Sequence, residues 1–349
     1  MSEQKHFERE IREQPELLAR LLEDDAVRTV ATVLRERAPH LITTLARGSS
    51  DNAVTFLGYL AGQTLGLPIA SLPPSLLSVY AAQMQARGTV TLGVSQSGES
   101  SDVVGGVTAL RAAGAVTVAV SNDPDSSLVA AADYALLQGV GVEQALAASK
   151  TFTSQQLLLS LLIAHWGEDD ILLAALHAVP EAITKLLDDA GGVHTGLKEV
   201  ALRLTHARSL YVLGRGLSYG PALETALKLK ETCYLHAQAY SSAEFQHGPI
   251  AAVNPSDPVL MLALADATEG SNHAAATKLR AVSADLCVLS SSEALRQDAT
   301  TAVTLPGGHP VTQAFVMVVA GQLLALHLAT AKGLDPDAPR NLKKVTKTM

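Results

Sequence analysis

Glu224, Lys228 and Glu231 recur at spacings of four and three in the run Glu224-Thr225-Ala226-Leu227-Lys228-Leu229-Lys230-Glu231. That spacing puts all three on one face of a helix. A charged stripe of this kind is usually a solvated row of ion pairs. Here the helix is otherwise apolar and follows the glycine-rich turn Gly214-Arg215-Gly216 at the carboxyl end of a strand. Open α/β sheets bind ligands at that edge. Two carboxylates flanking an ammonium there are candidates for acid–base work. Downstream, Glu244-Phe245-Gln246-His247-Gly248-Pro249 adds a histidine on a loop or helix end. On the residues alone, His247 is equally an exposed side chain or a site residue.

A second stretch, Ser95-Gln96-Ser97-Gly98-Glu99-Ser100, follows the apolar segment Val90 to Val94. Val103, Val104, Val107 and Leu110 come next at helical spacing, which predicts strand, tight loop and helix N-terminus. A helix N-terminus carries unpaired N–H groups and partial positive charge. Ser95, Ser97 and Ser100 and the Gln96 amide surround that point, and Gly98 lets the backbone come close. The loop is a cradle for a phosphate that needs no Lys, Arg or metal. An ordinary N-cap is the competing explanation.

An internal repeat separates the two explanations. Ala46-Arg47-Gly48-Ser49-Ser50 matches Gly214-Arg215-Gly216-Leu217-Ser218. At the same offset, Ser95-Gln96-Ser97 lands on Ala263-Leu264-Ala265, and Gly98 on Asp266. The hydroxyls are gone and an anion would be repelled. Two related halves therefore carry one cradle, in the first half.

The elements that must position these residues alternate. Residues 1 to 38 are charged and periodic and predict helices. Strands are expected at Leu41 to Ala46, Pro68 to Leu72, Thr89 to Ser95, Ala115 to Ser121 and Tyr134 to Gln138. Helices are expected at Ser50 to Leu65 and near Leu76 to Ala86. Residues 151 to 207 read as helical. The pattern then restarts with strand Leu210 to Leu213, helix Ser218 to Glu231 and strand Pro258 to Leu264. A helix near Gly270 to Val282, strands Leu286 to Leu289 and Ala302 to Leu305, and helix Thr312 to Lys332 complete it. This is an α/β chain with two parallel sheets, each with helices on both faces. Its expected divisions are an N-terminal helical segment 1–38, a first domain 39–175 with the cradle, connecting helices 176–207, a second domain 208–335 with the charged helix, and a tail 336–349.

The 349 residues are 48% hydrophobic but only 4% aromatic, so Ala, Leu and Val build the cores. Net charge is −8 with no basic tract, which disfavours nucleic acid and anionic membrane as partners. The polar N-terminus lacks an apolar signal segment. Cys233 and Cys287 sit among apolar or aromatic neighbours and read as reduced thiols, consistent with a cytoplasmic location. Phe315 to Ala331, interrupted by Gln322 and His327, reads as a buried core helix rather than a membrane span. No metal-ligand spacing and no Walker loop occurs, and no cofactor is expected.

Ser95-Gln96-Ser97-Gly98-Glu99, Ala148-Ser149-Lys150, Ala226 to Glu231, His247-Gly248-Pro249 and Pro339-Arg340-Asn341-Leu342 together resemble the sugar isomerase (SIS) domain family. Within it, the chain is similar to the isomerase half of glucosamine-6-phosphate synthase and to stand-alone glucosamine-6-phosphate deaminases, over nearly its whole length. The resemblance implies two flavodoxin-like domains in a homodimer that binds a small sugar phosphate. Ser95, Gln96, Ser97 and Ser100 would hold the phosphate. Ser49, Ser50 and the loop with Ala148 and Ser149 would hold sugar hydroxyls. Glu231 would move a proton between C2 and C1, with Lys228 beside it keeping it charged. His247, from the neighbouring subunit, would open the sugar ring. A tail lysine, Lys344 in preference to Lys343, would meet the open-chain carbonyl. The synthase pattern Cys-Gly-Thr-Ser is replaced here by Arg47-Gly48-Ser49-Ser50, and the tail is one residue shorter.

The resemblance implies conversion of glucosamine 6-phosphate to fructose 6-phosphate and ammonia. With no glutaminase domain in this sequence, deamination is the expected direction. A deglycase acting on a fructosamine 6-phosphate or a sugar–amino acid 6-phosphate is the alternative. A sugar-phosphate-sensing regulator without chemistry is a third reading. Glu231, His247 and Lys344 together argue against it.

Overall fold

A computed structural model describes residues 5–189 and 192–342. The chain divides into two compact units, one of residues 16–143 and 150–177, the other of 5–15, 144–149 and 178–342. Helix α1 (His6–Leu21) contributes to both, and α2 (Asp25–Arg37) belongs to the first.

The first unit is built on β1 (Leu41–Leu45), α3 (Ser49–Leu65), β2 (Ile69–Ser71), α4 (Pro74–Ser78), β3 (Thr89–Val94), α5 (Ser101–Ala112), β4 (Val116–Ser121), α6 (Ser127–Ala131) and β5 (Tyr134–Leu137). Helices α7 (Lys150–Trp166) and α8 (Asp170–His177) complete it. The five strands are parallel in the order β2-β1-β3-β4-β5. All six residues of β3 are buried, as a strand covered on both faces requires.

The second unit runs α9 (Val179–Leu187), α10 (Val193–Leu204), β6 (Ser209–Gly214), α11 (Tyr219–Cys233), β7 (His236–Ser241), α12 (Ser242–Phe245), β8 (Pro258–Leu262), α13 (Glu269–Ala281), β9 (Asp285–Ser290), α14 (Glu293–Arg296), β10 (Thr301–Thr304) and α15 (Pro310–Ala331). Its parallel sheet, β10-β9-β8-β6-β7, has the topology of the first read from the other edge. Both are the doubly wound, flavodoxin-like order. The internal repeat read from the Arg-Gly turns is thus a repeat of fold.

Among the differences from expectation are one helix and one strand. The helix near Leu76 to Ala86 is only the short α4, started by Pro73-Pro74. It ends at Ser78, Val79 and Tyr80 are exposed, and Ala81 then turns left-handed at φ 47°. Strand β7 was not among the expected strands. It is an edge strand whose polar residues His236 and Gln238 hide it from an apolar pattern. The repeat offset would have found it, because that offset carries β2 onto residues 237–239.

Helix α15 is long and apolar enough to cross a bilayer, but it is buried in its unit, as a core helix. It packs on α11 closely enough that a Cβ on Gly321 would lie 2.1 Å from Thr225 Oγ1. Cys233 and Cys287 are both free and buried. Burial pushes their thiols up, to about 11 and about 12.

Two histidines meet where α10 packs on α15. The His194 and His327 rings stand edge to face, 5.8 Å apart. Burial, followed by the nearby charges of His194, Lys198 and Arg12, lowers the His327 pKa to about 4, against an opposing pull from Asp189. The folded pKa lies below the unfolded value, so the unfolded chain takes up the proton first. This contribution is present above about pH 6.5 and is lost as pH falls toward 4. Urea unfolding should therefore show a shallower loss of stability between pH 6.5 and 4 in His327→Leu than in wild type. Parallel curves would remove His327 as the cause.

Candidate active site

In the first unit, β1 and β3 are neighbours whose onward connections run in opposite directions, to β2 and to β4. Their carboxyl ends form the topological switch point where doubly wound sheets bind ligands. Both hydroxyl-rich stretches follow these two strands. Ser49 and Ser50 open α3 directly after β1, with Ser50 buried. Ser95 to Ser100 link β3 to α5, with Ser100 at the N-cap. Gly98 adopts φ +64°, and a Cβ there would lie 2.2 Å from Ser126 Oγ, so only glycine fits this turn.

The hydroxyls hold the loop in shape. Ser95 Oγ accepts from the Gly98 N–H at 3.2 Å, and Ser97 Oγ from the Glu99 N–H at 3.3 Å. A hydroxyl that accepts in this way still has an O–H proton to donate. Ser100 instead donates to Asp102 Oδ1 at 2.8 Å. The Glu99 carboxylate accepts from the Ser127 N–H and hydroxyl, at 2.8 and 2.9 Å. Those bonds, the backbone one foremost, hold its pKa below the usual carboxylate range.

Sequence reading missed one partner here. Arg47, after β1, donates through Nε to Asp102 Oδ2 at 2.9 Å, and through Nη2 to the same oxygen. Asp102 is almost fully buried in the first turn of α5. Burial alone would raise its pKa, but the hydrogen bonds of Arg47 and Ser100 and the Arg47 charge outweigh it, and the carboxyl stays below its ordinary range. The pair ties the loop after β1 to the start of α5. The arginine in the Arg47-Gly48-Ser49-Ser50 turn was the available signal.

The matching corner of the second unit is closed. Asp266 Oδ1 accepts from the Thr268 N–H at 2.8 Å and from its hydroxyl at 2.6 Å, just before α13.

In that unit α11 brings the three charged residues together. Lys228 Nζ lies 3.2 Å from Glu224 Oε1 and 2.6 Å from Glu231 Oε2. The stripe is not solvated: the side chains of Glu224 and Lys228 are each 1% exposed, while that of Glu231 is 21% exposed. Burial disfavours the Lys228 charge, but attraction to Glu224 and Glu231 more than offsets this and raises its pKa above the lysine value. The trio is a buried network that opens to solvent only at Glu231.

Ser149 is buried and Ala148 half-buried, in the same unit as α11. His247 is exposed in the turn after α12, its N–H bonded to the Glu244 carbonyl at 3.0 Å. Lys343 and Lys344 lie outside the described residues. A cavity of about 590 Å³ in this unit is lined by His206, Arg208, His236 and Lys332. Helices α10, α11 and α15 all end near it, and cations at helix C-termini complement the dipoles. Lys332 Nζ does so directly, donating to the Cys233 carbonyl at 3.3 Å.

The SIS domain pattern matches residues 38–165 and 203–332, and the chain belongs to this family of sugar isomerase domains. It is 35% identical to the glutamine–fructose-6-phosphate aminotransferase [isomerizing] of Aeropyrum pernix, over 96% of this chain and 56% of that protein. The chain spans about half the length of the curated relatives it matches. Among solved structures, a chain from Silicibacter pomeroyi DSS-3, provisionally described as a phosphosugar isomerase, superposes with a TM-score of 0.85. It is 38% identical, over 96% of this chain and 100% of that one. The C-terminal domain of glucosamine-fructose-6-phosphate aminotransferase from Francisella tularensis superposes with a TM-score of 0.84 at 26% identity, over 97% and 99%.

Removing one member of a buried ion network leaves the others uncompensated. Lys228→Met should destabilise the protein by about 3–5 kcal/mol in urea unfolding, and adding Glu224→Gln should recover part of the loss. A loss below about 1 kcal/mol would match a solvated pair instead.

Proposed function

We propose that this chain is a cytoplasmic enzyme that isomerises and deaminates a 6-phosphorylated amino sugar, converting glucosamine 6-phosphate and water to fructose 6-phosphate and ammonia. The observation that carries the reading is the buried Glu224–Lys228–Glu231 network, which gives solvent access to one carboxylate only. An aldose–ketose isomerase needs one carboxylate that reaches two adjacent carbons, beside a fixed positive charge.

The chemistry follows from the side chains. Neutral hydroxyls and backbone N–H groups at Ser95–Ser100 hold the phosphate, and Ser49, Ser50 and the Ala148–Ser149 loop hold sugar hydroxyls. His247 of the partner subunit in a homodimer opens the ring. Glu231 removes the C2 proton of the open-chain aldehyde and returns it to C1. C1 becomes a hydroxymethyl carbon and C2 an imine. Water adds to C2, and ammonia leaves as the ketone forms. Lys228 steadies the Glu231 carboxylate. Lys344 meets the carbonyl oxygen as it gains negative charge. At low free ammonia, mass action favours release. The identity to isomerizing aminotransferases supports the sugar half of this reaction.

Incubation with glucosamine 6-phosphate and, separately, with a fructosamine 6-phosphate, assayed for ammonia and fructose 6-phosphate, tests the reading. Turnover of the first substrate is expected. Turnover of the second alone would establish the deglycase, and turnover of neither would overturn the isomerase reading. Ser97→Ala should weaken glucosamine 6-phosphate binding by roughly 10- to 100-fold, as loss of a hydrogen bond to a charged group does. Unphosphorylated glucosamine should bind as before.

A further inference from the structure

Helix α1 carries two polar side chains with no solvent exposure, Glu10 and Gln14, four residues apart on one face. A buried carboxylate is costly unless hydrogen-bonded. Glu10 accepts from the backbone N–H groups of Gln144 and Ala145, at 2.5 and 3.2 Å. Gln14 Nε2 donates to Gln322 Oε1 at 2.7 Å, and Gln322 Nε2 donates to the Ser149 carbonyl at 3.3 Å. Both ends of segment 144–149 are thus gripped, one by Glu10 and the other through Gln322.

The grip extends to the charged helix. Gln322 lies on α15, beside Gly321, which fits against Thr225 of α11. Thr225 sits next to Glu224 in the buried network. A continuous frame therefore runs from α1 through the loop and α15 to α11, all within one compact unit.

We propose that Glu10 and Gln14 are positioning residues that set the Ala148–Ser149 loop against α11 and so tune affinity for the sugar. The inference rests on the reading that this loop touches substrate. A helix staple with no functional role would hold its neighbours equally along its length. Here Glu10 binds two successive N–H groups of this loop, and Gln14 reaches its far end through one intermediary.

The test uses the full chain with Glu10→Gln and, as a milder change, Gln14→Leu. Glu10→Gln keeps the shape but sets an amide N–H against one of the two loop N–H groups. Hydrogen exchange of the peptide over residues 143–150 should quicken about tenfold in Glu10→Gln, with α11 and α15 still protected. KM for glucosamine 6-phosphate should rise about tenfold with kcat within about threefold, the pattern of lost substrate binding. Gln14→Leu should move both readouts in the same direction by less. Unchanged loop exchange overturns the clamp, and a loosened loop with unchanged KM overturns its role in affinity. If the wild type turns over no amino sugar phosphate, the functional reading fails, and the exchange measurement decides the clamp by itself.

Discussion

The ammonium of Lys228 is buried on α11, and it can stay charged there only because two carboxylates meet it. A lone buried ammonium would lose its proton or unfold the helix. Spacings of four and three on α11 place Glu224 and Glu231 on either side of it. The three charges depend on one another, and because all three lie on α11 they travel with that helix as one set. Contact with α15 at Gly321 holds the helix in the same register from its other flank. The consequence for chemistry is a carboxylate, Glu231, that is fixed at one oxygen yet reachable from solvent.

The two units show how one topology carries different sites. Both sheets have the same strand order, so both have a switch point at the carboxyl edge. At the first, serine hydroxyls and a glycine turn shape the loop between β3 and α5. At the second, Asp266 fills the equivalent corner and folds its carboxylate onto Thr268. The second unit instead places its charged groups within α11 itself.

Features that are local in sequence were legible there. The loop at Ser95–Ser100 announced itself as serine and glycine between an apolar strand and a helix, and the charged trio as a helical spacing. Burial of the trio was not legible, because spacing alone fits a solvated stripe equally well. Arg47 and Asp102 are 55 residues apart, so nothing in either neighbourhood signals their pairing. Glu10 and the loop it holds are farther still, 134 residues apart at Gln144. Strand β7 escaped because an edge strand with an exposed face lacks an apolar run. Helix α4 was overextended because alanines suggest helix where Ala81 turns left-handed. His247 stands on the exposed turn its Gly-Pro neighbours suggested.

The account stands most directly on whether Glu231 moves the C2 proton. Glucosamine 6-phosphate incubated with the protein in deuterium oxide, followed by proton NMR, reports exchange at C2 and label arriving at C1 of fructose 6-phosphate. Wild type should exchange or transfer that hydrogen as ammonia appears, and Glu231→Gln should lose the process by about 100-fold or more while still binding the sugar phosphate. A Glu231→Gln variant that turns over substrate at the wild-type rate would contradict the account.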